Sequence, residues 1–154
     1  AVKQFPHLPH APVIIDDTVI SPQEFGEWGM KWDAVSLRGF HNGKIVCEMK
    51  MPANPVATSL RVKSDYRELP VNEKAATRVT IEALDQCGNL LPFLDDIISV
   101  SVEGPAKIIG PSQLVLKGGA VGLWIEAGNY GGQATVTFTS ARLGSQTLEL
   151  TITG

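Results

Sequence analysis

Arg78-Val79-Thr80-Ile81-Glu82-Ala83-Leu84-Asp85-Gln86-Cys87-Gly88-Asn89 opens the stretch that decides the fold, and Asp96-Ile97-Ile98-Ser99-Val100-Ser101-Val102 closes it. Val79, Ile81 and Ala83 point one way and Arg78, Thr80 and Glu82 the other. That period of two predicts a half-buried β-strand. The run breaks at Asp85-Gln86-Cys87-Gly88-Asn89, where Gly88 and Asn89 tolerate positive φ and the chain can turn. Alternation returns at Ile98, Val100 and Val102, with Ser99 and Ser101 between them. Glu103-Gly104-Pro105 ends the unit. Two such strands, joined by a polar loop, form the middle of an antiparallel β-sandwich.

Working outward, the same pattern repeats downstream. Ala106-Lys107-Ile108-Ile109 and Leu114-Val115-Leu116 are short apolar pieces. Val121, Leu123 and Ile125 are in phase, as are Ala134, Val136 and Phe138, and then Leu148, Leu150 and Ile152. Gly-rich turns separate them at 110–111, 118–119, 131–132 and 141–144. Upstream, Thr58, Leu60 and Val62 make a first strand and Leu69-Pro70-Val71 a short edge piece. Turn signals every ~8–12 residues between alternating strands predict an all-β, immunoglobulin-like sandwich of about seven strands over residues 53–154. Ile81, Val100, Leu123, Val136 and Leu150, each mid-strand in the apolar phase, are the expected core.

Residues 34–52 read as a β-hairpin. Val35, Leu37 and Gly39 alternate with Ser36 and Arg38, and Ile45, Cys47 and Met49 alternate on the return. His41-Asn42-Gly43-Lys44 supplies the Asn-Gly turn. Met51-Pro52-Ala53-Asn54-Pro55 is a natural boundary, since proline donates nothing to a sheet. Residues 1–33 carry Pro6, Pro9, Pro12 and Pro22 and little periodicity, and are expected to be an extended linker. Ser21-Pro22 there can start one helical turn. A lone two-stranded hairpin is marginal in water. Its apolar face must therefore pack on the sandwich or on a second copy of the chain.

Composition narrows the functional classes. Hydrophobic residues make up 44% and charged ones 19%, which suits a folded globular chain. Net charge is −3 with no basic stripe, which argues against nucleic acid as a partner. No apolar run approaches the ~20 residues of a membrane helix. The first residue is Ala, so the sequence is expected to be processed or cut from something longer. Cys47 and Cys87 sit in separate units and read as free thiols, which tilts the expectation toward a reducing, cytoplasmic compartment.

Candidates for chemistry are few. His7 and His10 flank Pro9, which argues against the helix that would align them on a metal. His41 reads as a solvated turn residue. Asp16-Asp17 and Asp95-Asp96 are neighbours in extended chain, so each pair points apart; glycoside hydrolysis needs two carboxyls facing one bond. Asp85 and Asn89 read as turn caps rather than a calcium site. No residue is assigned a catalytic, metal or cofactor role. Trp28, Trp32, Trp124 and Tyr130 remain as contact residues. Trp124 is out of phase with Val121, Leu123 and Ile125, so it faces outward, where a covered interface, a local loop or a sugar ring is its expected neighbour.

From Arg38 onward the sequence resembles the C-terminal region of family 2 glycoside hydrolases of the β-galactosidase type. The matching features are Gly39-Phe40-His41-Asn42-Gly43-Lys44, Asn54-Pro55, the stretch from Arg78 to Leu91 with its Asp85-Gln86-Cys87-Gly88-Asn89, Val102-Glu103-Gly104-Pro105, Ile109-Gly110-Pro111, Gly118-Gly119 and Gly131. The resemblance implies a parent enzyme whose catalytic glutamates lie in a (β/α)8 barrel. A barrel needs about 250 residues, so no catalytic residue carries over to this chain. It also implies that the hairpin is the last two strands of a preceding sandwich, and that the chain's partners are other domains of the parent glycosidase. The rival expectation is a carbohydrate-binding module, or an immunoglobulin-like domain of a bacterial surface protein.

Overall fold

A computed structural model describes residues 13–15, 18–20, 33–71 and 73–154. The chain divides into two compact units, residues 1–55 and 56–154.

In the first unit, β1 (Val13–Ile15) and β2 (Thr18–Ile20) pair antiparallel, Val13 opposite Ile20. Within the stretch read as linker there is thus a short ladder. The start of a helical turn at Ser21-Pro22 lies outside the described residues, as do His7, His10, Asp16, Asp17, Trp28 and Trp32. β3 (Ala34–His41) and β4 (Lys44–Pro52) form the hairpin. Asn42 (φ 50°) and Gly43 (φ 74°) are both left-handed, which is the two-residue turn whose twist matches the flanking strands. One detail departs from the sequence reading. The ladder shifts register between Gly39 and Phe40: Gly39 pairs with Cys47, but Phe40 pairs with Ile45. Val46 is the extra residue of a β-bulge, so Ile45 shares a face with Phe40 and not with Cys47 and Met49.

The second unit holds nine strands. β5 (Ala57–Ser64), β6 (Glu68–Pro70), β7 (Ala76–Asp85), β8 (Ile97–Glu103) and β9 (Ala106–Ile109) are followed by β10 (Gln113–Val115), β11 (Ala120–Ala127), β12 (Gly132–Ser140) and β13 (Gly144–Thr153). They make a four-stranded sheet, β5-β7-β11-β9, and a five-stranded sheet, β10-β8-β12-β13-β6. This is the ABED and CFG arrangement of immunoglobulin domains. The strand number exceeds seven because the first strand is split and a short β10 is added at the edge. β5 borders one sheet; the chain then crosses, and β6 runs parallel to β13 at the edge of the other. Pro70 ends β6 at that edge, where a missing donor does least harm. The two strands that decided the fold, β7 and β8, lie in different sheets and contribute to the same core.

That core follows the alternation. Val79, Ile81, Ala83, Ile98, Ile125, Ala134, Val136, Phe138 and Leu150 are wholly buried, and Val100, Leu123, Leu60 and Leu148 nearly so. All five residues expected in the core are there. A smaller cluster of Leu69, Ala127 and Ile152 closes one end. Thr58, Leu60 and Val62 lie in β5 as expected, but the ladder skips Thr58 between Ala57 and Ser59, so it sits on a bulge, exposed, and its hydroxyl donates to the Leu84 carbonyl (3.3 Å).

Candidate contact surfaces

Two of the loop acids, Asp85 and Asp96, are used by the fold. Asp85 ends β7 as a buried carboxylate. Its Oδ1 accepts the N–H groups of Cys87 (2.8 Å) and Asn89 (2.9 Å), and its Oδ2 accepts Asn89 Nδ2 (3.1 Å). Burial pushes this carboxyl up. The hydrogen bonds from Asn89, Cys87 and Gly88 outweigh burial, and the net result lies below the ordinary aspartate value. The turn-capping role expected for Asp85 and Asn89 is the one observed. Asp96 ties two loops together: Oδ1 accepts the Ile97 N–H (2.8 Å) and Oδ2 accepts the Ser140 hydroxyl (2.6 Å). The same hydroxyl oxygen accepts the N–H groups of Arg142 and Leu143 at the start of the next turn. Asp95 is exposed beside it. His41 is exposed at the hairpin turn, 3.2 Å from Asn42 Nδ2. Among the described residues, no three metal-binding side chains come together. Cys47 is exposed and Cys87 half-buried, both as free thiols.

What the surface does offer is contact area of three kinds. The first is the hairpin. By register, Leu37 faces with Met49, and Val35 with Met51, on one side; Arg38, Glu48 and Lys50 lie on the other, with Arg38 Nε 2.8 Å from Glu48. Val35 is buried, but Leu37 (44%), Met49 (50%) and Met51 (46%) are exposed, as are Phe40 and Ile45 near the tip. An amphipathic ladder with its apolar side open is half of a packed layer.

The second is the outer face of the four-stranded sheet. Trp124 stands on it, opposite Arg78 on β7 and Ile109 on β9, and is half exposed. Gly122, next along the same face, adds no side chain to cover the ring. Around this apolar spot the face is charged and internally paired: Arg61 with Glu82 (2.7 Å), Arg78 with Asp65 (3.2 Å), and Lys107 with Glu126 (2.8 Å). Tyr130 is also exposed, but it lies in the turn beyond the end of β11. Three strand residues, roughly 10 Å, separate Trp124 from that strand end.

The third surface went unnoticed in the sequence. Ile97 and Val115 pair across β8 and β10 on the outer face of the five-stranded sheet, both more than half exposed, and Phe93 in the preceding loop is 92% exposed. The signal was there: in Ile97-Ile98 and Leu114-Val115-Leu116, adjacent apolar residues on an alternating strand force one of each pair outward.

An immunoglobulin-like sandwich with contact surfaces, and with its buried acids holding loops, has the form of an accessory domain. The chain belongs to the family of glycoside hydrolase family 2 C-terminal domain 5, whose family model matches residues 60–149. A β-galactosidase of Rhizobium radiobacter is 47% identical over 84% of this chain and 94% of that protein. A β-galactosidase of Rhizobium meliloti is 41% identical over 96% of this chain, yet only 19% of the relative is spanned. Among solved structures, a β-glycosidase from Bacteroides vulgatus superposes with a TM-score of 0.72 at 18% identity, covering 92% of this chain and 21% of that one.

Proposed function

We propose that this chain is the C-terminal accessory part of a β-galactosidase-type enzyme, and that it holds domains together without performing hydrolysis itself. The observation that carries the reading is the mismatch of lengths: almost all of this chain aligns with under one fifth of the Rhizobium meliloti relative. The hairpin supports it. Its apolar side, Leu37, Met49 and Met51, has the pattern of strands that face another sheet, so residues 34–52 serve as the last two strands of a preceding sandwich. The other domains of the parent are then the partners, and β-galactosides the parent's substrate class. Trp124 with Ile109 is a contact spot for the same assembly. The chain alone, assayed on nitrophenyl glycosides, is expected to match buffer. Turnover that survives repurification and vanishes on mutating one of the chain's acids overturns the proposal.

A second reading draws on the half-exposed Trp124 and the exposed Tyr130, because an aromatic face can stack on a sugar ring. Under it the chain is a carbohydrate-binding module. A glycan-binding screen separates the two: retention lost on Trp124→Ala favours the module, and no retention favours the accessory domain.

A further inference from the structure

The two outer faces of the sandwich differ in charge in a way the alternation does not require. The four-stranded sheet carries Arg61, Lys63, Arg78 and Lys107, each in an ion pair. The five strands of the other sheet contain no Lys, Arg or His at all. Their outward residues fall into bands. Ile97 and Val115 form an apolar band at one end. Ser99 and Ser101 on β8, with Thr137 on β12 and Thr147 on β13, form a neutral hydroxyl band in the middle. At the far end Glu103 and Glu149 flank Thr135 from either side, and Glu68 lies beside Thr151 in the next row. Glu149 accepts the Thr135 hydroxyl (2.9 Å), and none of the three glutamates has a cationic partner among the ion pairs of the described residues.

We propose that the outer face of the five-stranded sheet is the surface on which the remaining body of the same polypeptide docks, with basic residues opposite Glu103, Glu149 and Glu68 and an apolar spot opposite Ile97 and Val115. This rests on the accessory-domain reading above. Three arguments select that occupant. A Ser/Thr face is cheaper to dehydrate than a charged one, and part of its hydrogen bonding is satisfied within the sheet, as between Thr139 and Ser145 (3.0 Å). A second copy of the chain is a poorer fit: a symmetric contact sets Glu103, Glu149 and Glu68 against their own copies, with Arg67, which joins this sheet through its carbonyl just before Glu68, as a flanking base, and the bases of the opposite sheet are already paired. A tethered neighbour also needs less affinity than a free one, because attachment raises its effective concentration.

Carbodiimide labelling of carboxylates, read by mass spectrometry, tests this on the 154-residue chain and on the full-length product of its gene. The expected result is that Glu103, Glu149 and Glu68 label freely in the 154-residue chain at every concentration and lose most of that labelling in the full-length protein. Equal labelling in the two overturns the docking surface while leaving the accessory-domain reading intact. Labelling that falls as the 154-residue chain is concentrated assigns the face to a second copy and overturns it too. An intact mass showing that the gene product carries no further domain removes both readings together. Glu82 and Glu126 report in the same spectra on the Trp124 face.

Discussion

The hairpin and the sandwich are written in the same code and end differently. Val79, Ile81 and Ala83 alternate with polar residues on β7 and are wholly buried; Leu37, Met49 and Met51 alternate with polar residues on β3 and β4 and stay about half exposed. The strand pattern is alike, and so is the antiparallel pairing. The difference is the opposing layer. β7 has a second sheet facing it within its own unit, whereas among the described residues the hairpin's Leu37, Met49 and Met51 have no such cover. A period of two therefore states which side a strand offers for burial. Whether that side is buried depends on what else the polypeptide brings.

The sharpest way to break the comparison is to truncate matched residues in each region. Ile81→Ala or Leu150→Ala removes fully buried methyl groups and is expected to lower unfolding stability by about 2–5 kcal/mol. Met49→Ala in the hairpin is expected to change it by no more than about 0.5 kcal/mol. Urea unfolding of the three variants reads both. Equal losses mean that the hairpin is part of the same cooperative core.

Gly104 sharpens the point that backbone as well as side chains fixes the sandwich. It turns β8 into β9 at φ 91°, and an added Cβ would collide with the Gln133 carbonyl oxygen and crowd the Ala134 Cα at 3.0 Å. Gly104→Ala is expected to cost about 1–3 kcal/mol from the strained conformation, with added loss as β12 shifts. Gly43→Ala carries the positive-φ cost without any collision, and its effect on the unfolding midpoint is expected to be smaller.

Asp85 provides a chemical version of the comparison, because it is a buried carboxylate of the sandwich. Its folded pKa lies below the unfolded one, so its carboxylate contributes stability above the unfolded pKa of about 3.9. That contribution is lost as pH falls through the lower, folded value. Asp85→Asn is expected to cost about 1–3 kcal/mol near neutrality and to flatten the decline in thermal midpoint below about pH 4. An unchanged acid limb would assign that limb to other carboxylates.

Most of the sandwich was legible in the sequence because its strands are half-buried and antiparallel, so each core residue declares itself by phase. The nine strands exceed about seven because β6 and β10, which the sequence offers only as short apolar pieces at 69–71 and 114–116, are three-residue edge strands added to the seven. The bulges at Val46 and Thr58 were invisible for a related reason: an extra residue shifts pairing between strands without changing the local pattern. The contact surfaces were half legible. Trp124 could be placed outward from its phase, whereas Ile97 and Val115 were hidden inside apolar runs. The acidic end formed by Glu103, Glu149 and Glu68 gathers residues from three strands far apart in sequence, and only register brings them together.

The smallest expected effect gives the strictest test. The sandwich has a complete core of its own, since every residue of both buried clusters lies between Ala57 and Ile152. Removing residues 1–55 is therefore expected to leave the fold of 56–154 and its unfolding midpoint nearly unchanged. The hairpin left by itself is expected to be unfolded, as isolated two-stranded ladders are marginal in water. Circular dichroism and urea titration of the two fragments measure this, and light scattering before and after the deletion adds a second readout. If a dimer becomes a monomer, the open face of Leu37, Met49 and Met51 was covered by a second copy. If the chain is monomeric throughout, that face waits for strands supplied by another domain. Should residues 56–154 fail to fold alone, the independence of the two units is wrong, and the contrast between them reflects one divided core rather than one finished layer and one unfinished one.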